Sequence, residues 1–569
     1  MNFNIGTLDI IIIIAYLVGI VLLGVFAIKK KMSEQSSDDY FLASRSLKWG
    51  VIGAALFAAN ISTIHLIGFA ESGFKHGLVD GLFEWLAIPF LVFLGFFIAP
   101  YFFRTRISTI PEWYERRFNG ASRTWMVLFA ILTALLIHIG ISLYAGAELA
   151  KQFFGLQEIY GIIFIAVLTG IYTVVGGLKA VAITESVQTV LLIGGAMTLT
   201  IFGIFALPDA GIHSFAEFKA QLAPDTLSIL RPENSPANPP EGGISWYAAL
   251  LGYFVLGAWY WFSDQTIVQR ALGAKTEYDA KVGPMFTAIL KILPVLFFLL
   301  PGVLAYVIFK SDIGADTKNT LPFMIDRLVP IGLKGLIIAA LLAALMSSVA
   351  AAINSASTLF SIDIIKRIKP QTDDKKLVLI GRYTAVVIMI LAIAWSTQAD
   401  KFGDTIIHTV NSLGAMIAPP IVAVFMFGMF WKRGTAKAAN ITFAVGLVMG
   451  IFVFLLDFPY ENLLPGLKGL AEKIAASNGI NLLPQTKAIT GSLGMVFMMQ
   501  AWWKFVLCAL IMIVASLLTA KPTEAQISTC IRLKDYWPDK YNGVKDFRII
   551  GLAIIISLTV LWIILESIA

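Results

Sequence analysis

Two cysteines in 569 residues cannot build a disulfide framework. Cys508 lies in an apolar stretch and Cys530 in a polar one, so a secreted, stapled scaffold is excluded. Charge is scarce as well. Only 14% of residues are Asp, Glu, Lys or Arg, where a soluble protein carries about 25%. The five histidines (His65, His76, His138, His213 and His408) are scattered without metal-ligand spacing, and no H-E-x-x-H run occurs. A G-x-x-x-x-G-K-[ST] run is missing too, so ATP is not expected to drive the protein directly. No catalytic pair can be named, and the chain is expected not to be an enzyme. No low-complexity or collagen-like segment appears, and no nucleic-acid partner is expected.

What the chain has in excess is apolar surface. Hydrophobic residues make up 58% of it, and the mean hydropathy is +0.81. That excess rules out intrinsic disorder and can be accommodated only in a bilayer. The expected class is an all-α polytopic membrane protein with about fourteen apolar segments of spanning length. The first, 8–28, is followed by Lys29, Lys30 and Lys31 with no small-residue cleavage site, so it reads as a retained helix. Lys and Arg favour one set of alternate loops, roughly 29 against about 12. The basic face, which includes Cys530 between Lys521 and Arg548, is expected to be cytoplasmic. With an even number of spans, both termini then lie outside a plasma (inner) membrane. The long non-basic connections 207–244 and 458–496 fall outside too, the first carrying Pro236, Pro239, Pro240, Gly242 and Gly243.

Ionisable residues inside apolar spans cost several kcal/mol and mark a pathway or a pair. Glu84, Glu148, Lys291 and Lys504 fall there. Lys504, next to Trp502 and Trp503 near a helix end, reads as a snorkelling anchor, and Glu148 sits near an outer end. Glu84 and Lys291 fit either a solute site or a buried ion pair.

Helix interruption is a second signal. Segment 49–71 carries the polar patch Asn60-Ile61-Ser62-Thr63, and segment 245–262 carries Gly252 and Gly257 among Tyr253, Trp259, Tyr260 and Trp261. Two interrupted segments five spans apart point to a midplane site between structural repeats, with unwound carbonyls free to coordinate a cation. In segment 333–360, Ala344, Ser347 and Ser348 stand at i, i+3 and i+4 on one helix face. Two hydroxyls plus carbonyls suit Na⁺, but the same pattern fits serines bonded back to their own helix.

Several runs together resemble the solute:sodium symporters, most nearly their sodium/glucose cotransporter branch. They are Asp39-Tyr40-Phe41-Leu42-Ala43, Ala58-Ala59-Asn60-Ile61-Ser62 through His65, Phe83-Glu84-Trp85, Leu290-Lys291, Ser347-Ser348, Asn354-Ser355 and Ala418-Pro419-Pro420. The most specific is Trp259-Tyr260-Trp261-Phe262-Ser263-Asp264-Gln265-Thr266-Ile267-Val268-Gln269-Arg270.

The resemblance implies a leucine-transporter-type core of two inverted five-helix repeats, here 49–206 and 245–430. Around it stand a first peripheral helix and basic loop (1–48), an extracellular loop (207–244) and three C-terminal helices (431–569). It also implies a sodium site made of the carbonyls of Ala58, Ile61 and Ala344 with the hydroxyls of Ser347 and Ser348. By the same likeness the solute positions are Asn60, His65, Glu84, Tyr260, Trp261, Lys291 and Asn411, with Tyr260 stacking on a sugar ring as an inner gate. Asn411 stands where glucose and galactose carriers usually have Gln, and Glu185 falls near a position associated with a second sodium site. The implied activity is import of a sugar, a hexose such as glucose, galactose or mannose, with co-transported sodium. Symport of myo-inositol, sialic acid or a carboxylate, and a channel or sensor role, stay open.

Overall fold

The structure, a computed structural model, describes residues 5–27, 35–231, 235–237, 245–397, 406–457, 497–537, 543 and 546–569. These residues are almost entirely helical and hold no strand, only the isolated bridge between Leu47 and Ala274. Among them 11 helices are long and apolar enough to cross a membrane, or 12 when one bent pair counts as a span. Two further features separate that figure from the fourteen expected. Glu158–Phe205 is a 48-residue helix, about 72 Å at 1.5 Å per residue, more than twice the bilayer core. It breaks at Gly177, whose φ of 57° and ψ of −155° are open to glycine and strained for other residues. Trp246–Ala258 is only 13 residues long because it runs into a π turn at Trp259–Ser263.

Burial separates core from periphery. Leu333–Ile368 is buried on nearly all sides, whereas Phe547–Ile568 and Thr7–Phe26 are mostly uncovered. The exposed side chains on those two include Leu8, Ile11, Ile14, Leu552, Ile556 and Ile563, a lipid-facing surface rather than a water-facing one. Lys504, read as a snorkelling anchor, is instead buried at 8% exposure within Phe497–Leu518.

The bent pair positions the site. Trp49–Asn60 stops at Ile61 (φ −77°, ψ 101°) and Thr63–His76 starts after Ser62 (φ −100°, ψ 173°), the two halves meeting at 59°. A helix end leaves its last carbonyls without intrahelical partners. Ile61 N satisfies Phe57 O at 2.9 Å, and the carbonyls that follow must find partners elsewhere. The restart is fixed by His65, whose Nδ1 accepts from Ser62 N at 3.2 Å, a reciprocal arrangement like a capping box. Thr63–His76 then packs backbone to backbone against Leu300–Ile313. A Cβ on Gly73 would meet Leu299 O at 2.2 Å, and one on Gly302 would meet Ala70 O at 2.1 Å.

The second break falls later than the sequence suggests. Gly252 and Gly257 lie inside regular helix, where a Cβ on Gly252 would meet Met498 O at 2.6 Å, so this glycine serves close packing. The chain leaves the helix at Asp264 (φ −74°, ψ 117°), which caps Gln265–Leu272 by accepting from Thr266 N at 2.7 Å.

Candidate solute cavity and cation site

Between the two breaks lies a cavity of about 140 Å³, close to the roughly 150 Å³ that holds a six-membered ring. Asn60, His65, Glu84, Tyr260, Trp261 and Lys291, six of the seven expected solute residues, line it together. The side chain of Asn411, the seventh, lies outside the described residues.

The polar groups of the cavity are coupled. Lys291 Nζ donates to Glu84 Oε2 at 2.5 Å, with both side chains almost fully buried. Lys291 also donates to Asn60 Oδ1, while Asn60 Nδ2 donates to the Tyr260 hydroxyl at 3.0 Å. The ammonium stands 5.6 Å from the Trp261 ring centroid. This chain joins the first break, the helix Gly81–Trp85, the end of Glu277–Leu290 and the π turn. The buried ion pair that the sequence left open as one of two readings is therefore present. Both of its members also line the cavity.

His65 has Nδ1 occupied by Ser62 N, which places its proton on Nε2. The apolar walls come from Phe69, Phe83, Ile137, Leu256 and Trp259. Sequence reasoning missed His138, which lies mid-way along an apolar run and lines the same cavity. It also quoted Asp264 without giving it a role. An ionisable residue inside a span was the available signal.

Four of the five expected cation ligands, Ala58, Ala344, Ser347 and Ser348, come together as well. Ser347 Oγ lies 2.8 Å from Ala58 O and 2.8 Å from Ala344 O. Ser348 Oγ lies 3.3 Å from both Ala59 O and Ala344 O. The orphan carbonyls at the end of Trp49–Asn60 thus meet two hydroxyls of Leu333–Thr358, across the helix packing that the small residues of both permit. Ile61, the fifth, is fully buried at the C-cap of Trp49–Asn60. Each hydroxyl donates one proton and keeps lone pairs, so these oxygens form a neutral cluster suited to a hard monovalent cation. Ser348 and Ala59 also line the cavity, so the two sites share a wall.

Glu185 does not join that cluster. Its carboxylate takes Arg270 Nη2 at 2.5 Å and Nε at 3.2 Å, and both side chains are fully buried. With a guanidinium on both oxygens, Glu185 is held in an ion pair and stands apart from the serine cluster.

Comparison with known proteins finds similarity over most of the chain. Residues 40–446 match the sodium:solute symporter family. The human sodium/myo-inositol cotransporter is 31% identical, over 96% of this chain and 77% of that protein. Mouse sodium/glucose cotransporter 4 is 31% identical, over 81% of this chain and 70% of that protein. The solved structure of a Na⁺-coupled sialic acid symporter, substrate-bound and outward-open, shares the fold. Its TM-score is 0.73 at 22% identity, covering 92% of this chain and 100% of that one.

Proposed function

Because the chain belongs to the sodium:solute symporter family, a family of multi-pass, sodium-coupled transporters, we propose that it imports a neutral polyhydroxylated ring together with Na⁺. A hexose is the first reading. The observation that carries it is the pairing of Lys291 with Glu84 at 2.5 Å. The pair leaves the described cavity without an unpaired cation, so a carboxylate solute would find no counter-charge. A ring rich in hydroxyls finds donors and acceptors on the rim and aromatic faces on the walls. Myo-inositol is the second reading, favoured by the relative that matches over 96% of the chain.

In this mechanism the repeats 49–206 and 245–430 rock against each other, with 1–48, 207–244 and 431–569 outside the core. Na⁺ held by Ala58, Ile61, Ala344, Ser347 and Ser348 ties the first break to Leu333–Thr358. That bond sets the position of Asn60 and His65, which favours solute binding on the outer side. Coupling requires that Na⁺ bind the two conformations with different free energies. Each charge crossing the field adds about 2.3 kcal/mol per 100 mV. Tyr260, anchored to Asn60, then gives way and both solutes leave inward.

Uptake into proteoliposomes of labelled glucose, galactose, mannose, myo-inositol and sialic acid, with and without a sodium gradient, tests the reading. Sodium-dependent uptake of a neutral ring is expected. Preference for sialic acid would overturn it.

Inward transport also assumes a cytoplasmic basic face with both termini outside. Cys530 is a poor reporter of this orientation. It is buried, its thiol faces Gly428 O at 3.6 Å, and burial pushes the thiol pKa up. Ala525, on the same loop, is exposed. Ala525→Cys is expected to react with an impermeant maleimide in inside-out vesicles and to stay unmodified in intact cells, with the native thiols silent in both. Labelling of intact cells would invert the orientation.

A further inference from the structure

His138 belongs to the π-helical stretch Ala134–Ile141, and its ring lines the cavity beside the break at Asp264. Its Nε2 lies 2.9 Å from Asp264 Oδ2. The other oxygen of Asp264 is already committed, accepting from Thr266 N at 2.7 Å. An ionised carboxylate only accepts hydrogen bonds, so the proton of a neutral His138 must sit on Nε2. Nδ1 is then an acceptor. It has no partner among the described residues, and the side chain is 14% exposed in a site whose opening is the cavity. Ser142, one turn further along, lines the same wall. His65 is fixed the other way round, with Nδ1 occupied and Nε2–H free to donate.

We infer that His138 is a further solute-binding residue, accepting a hydrogen bond from a ring hydroxyl through Nδ1, and that Asp264 is the positioning residue that holds it in the accepting tautomer. This rests on the polyol reading above. The cavity then offers a donor histidine on the first break and an acceptor histidine on the facing helix. A ring with hydroxyls around its whole rim meets both; a solute with one polar end meets only one.

The experiment uses the full-length protein in proteoliposomes, the best-carried solute of the five above, and its complete set of monodeoxy derivatives. His138→Leu should raise the half-saturation concentration of the parent solute about 5- to 10-fold, the scale of one hydrogen bond. Sodium activation should stay within two-fold. One derivative, the one lacking the contacted hydroxyl, should bind wild type weakly and be unaffected by His138→Leu. His138→Gln, which keeps both a donor and an acceptor, should restore part of the loss. Asp264→Asn still caps Gln265–Leu272, because Asn is as good a cap as Asp, but its amide can donate to Nε2 and reverse the tautomer. It should therefore show the same single insensitive derivative. An equal loss across all derivatives, or no loss, would overturn the assignment. Absence of sodium-driven uptake of every neutral ring by wild type would overturn the polyol reading and this inference together. Wild-type uptake with a flat deoxy profile would remove His138 alone.

Discussion

Glu84→Gln is expected to lower affinity for the transported ring roughly 10- to 150-fold, because hydrogen bonds to a charged group contribute about 1.5–3 kcal/mol. The substitution keeps size and one acceptor oxygen, so Lys291 keeps a neighbour. What changes is charge: Lys291 is now an uncompensated cation in the cavity. The variant should therefore lose the neutral ring while tolerating a carboxylate such as sialic acid better than wild type does. Lys291→Met is harsher, since it strands Glu84 in a site with 2% exposure. Breaking a buried pair from one side costs about 3–5 kcal/mol, and expression should fall with transport. The double variant Glu84→Gln, Lys291→Met separates the two roles. Replacing both partners of a buried pair is often neutral for stability, so expression should recover while uptake stays lost. Recovery of uptake in the double variant would show that the pair holds helices together and does not touch the solute. Expression and uptake measured on the same membranes decide this.

How far the sequence carried depends on the distance between the partners. Spans were legible because an uninterrupted apolar run needs no knowledge of its neighbours. The break at Ile61-Ser62 was legible for a related reason, since Asn, Ser and Thr compete with helix hydrogen bonds locally. The second break was misplaced because glycine was read as a weak point. Gly252 and Gly257 are contact surfaces, and the chain leaves the helix at Asp264, which can cap the helix that follows. Glu185 could not be read at all. Its environment is set by Arg270, 85 residues away, and nothing local distinguishes a carboxylate awaiting a cation from one already holding a guanidinium. The same limit hid the burial of Lys504 and the role of His138. The serine pair lay in between: the spacing showed a shared face, but only the packing of Leu333–Thr358 on the first break decides what that face meets.

That packing gives the cation site a graded prediction. Ser347→Ala and Ser348→Ala each remove one hydroxyl from a fully buried helix and raise helix propensity, so folding is little disturbed. The two positions are not equivalent. Ser347 Oγ stands 2.8 Å from each of two carbonyls, whereas Ser348 Oγ stands at 3.3 Å from its own pair. Ser347 is the tighter member, and Ser347→Ala should raise the sodium needed for half-maximal uptake roughly 10-fold or more, taking the strength of a hydrogen bond to a charged group as the scale. Ser348→Ala should cause a smaller rise. Ser348 also lines the cavity, so its loss should shift solute affinity even at saturating sodium, an effect Ser347→Ala should not share. Sodium activation curves at saturating solute, paired with solute curves at saturating sodium, distinguish the outcomes. If either variant keeps wild-type sodium activation, its hydroxyl is bonding carbonyls of its own and the neighbouring helix and is not a ligand. If both do, the cation binds elsewhere. The coupling between sodium and the first break would then need another carrier, since a ligand that binds both conformations equally shifts neither.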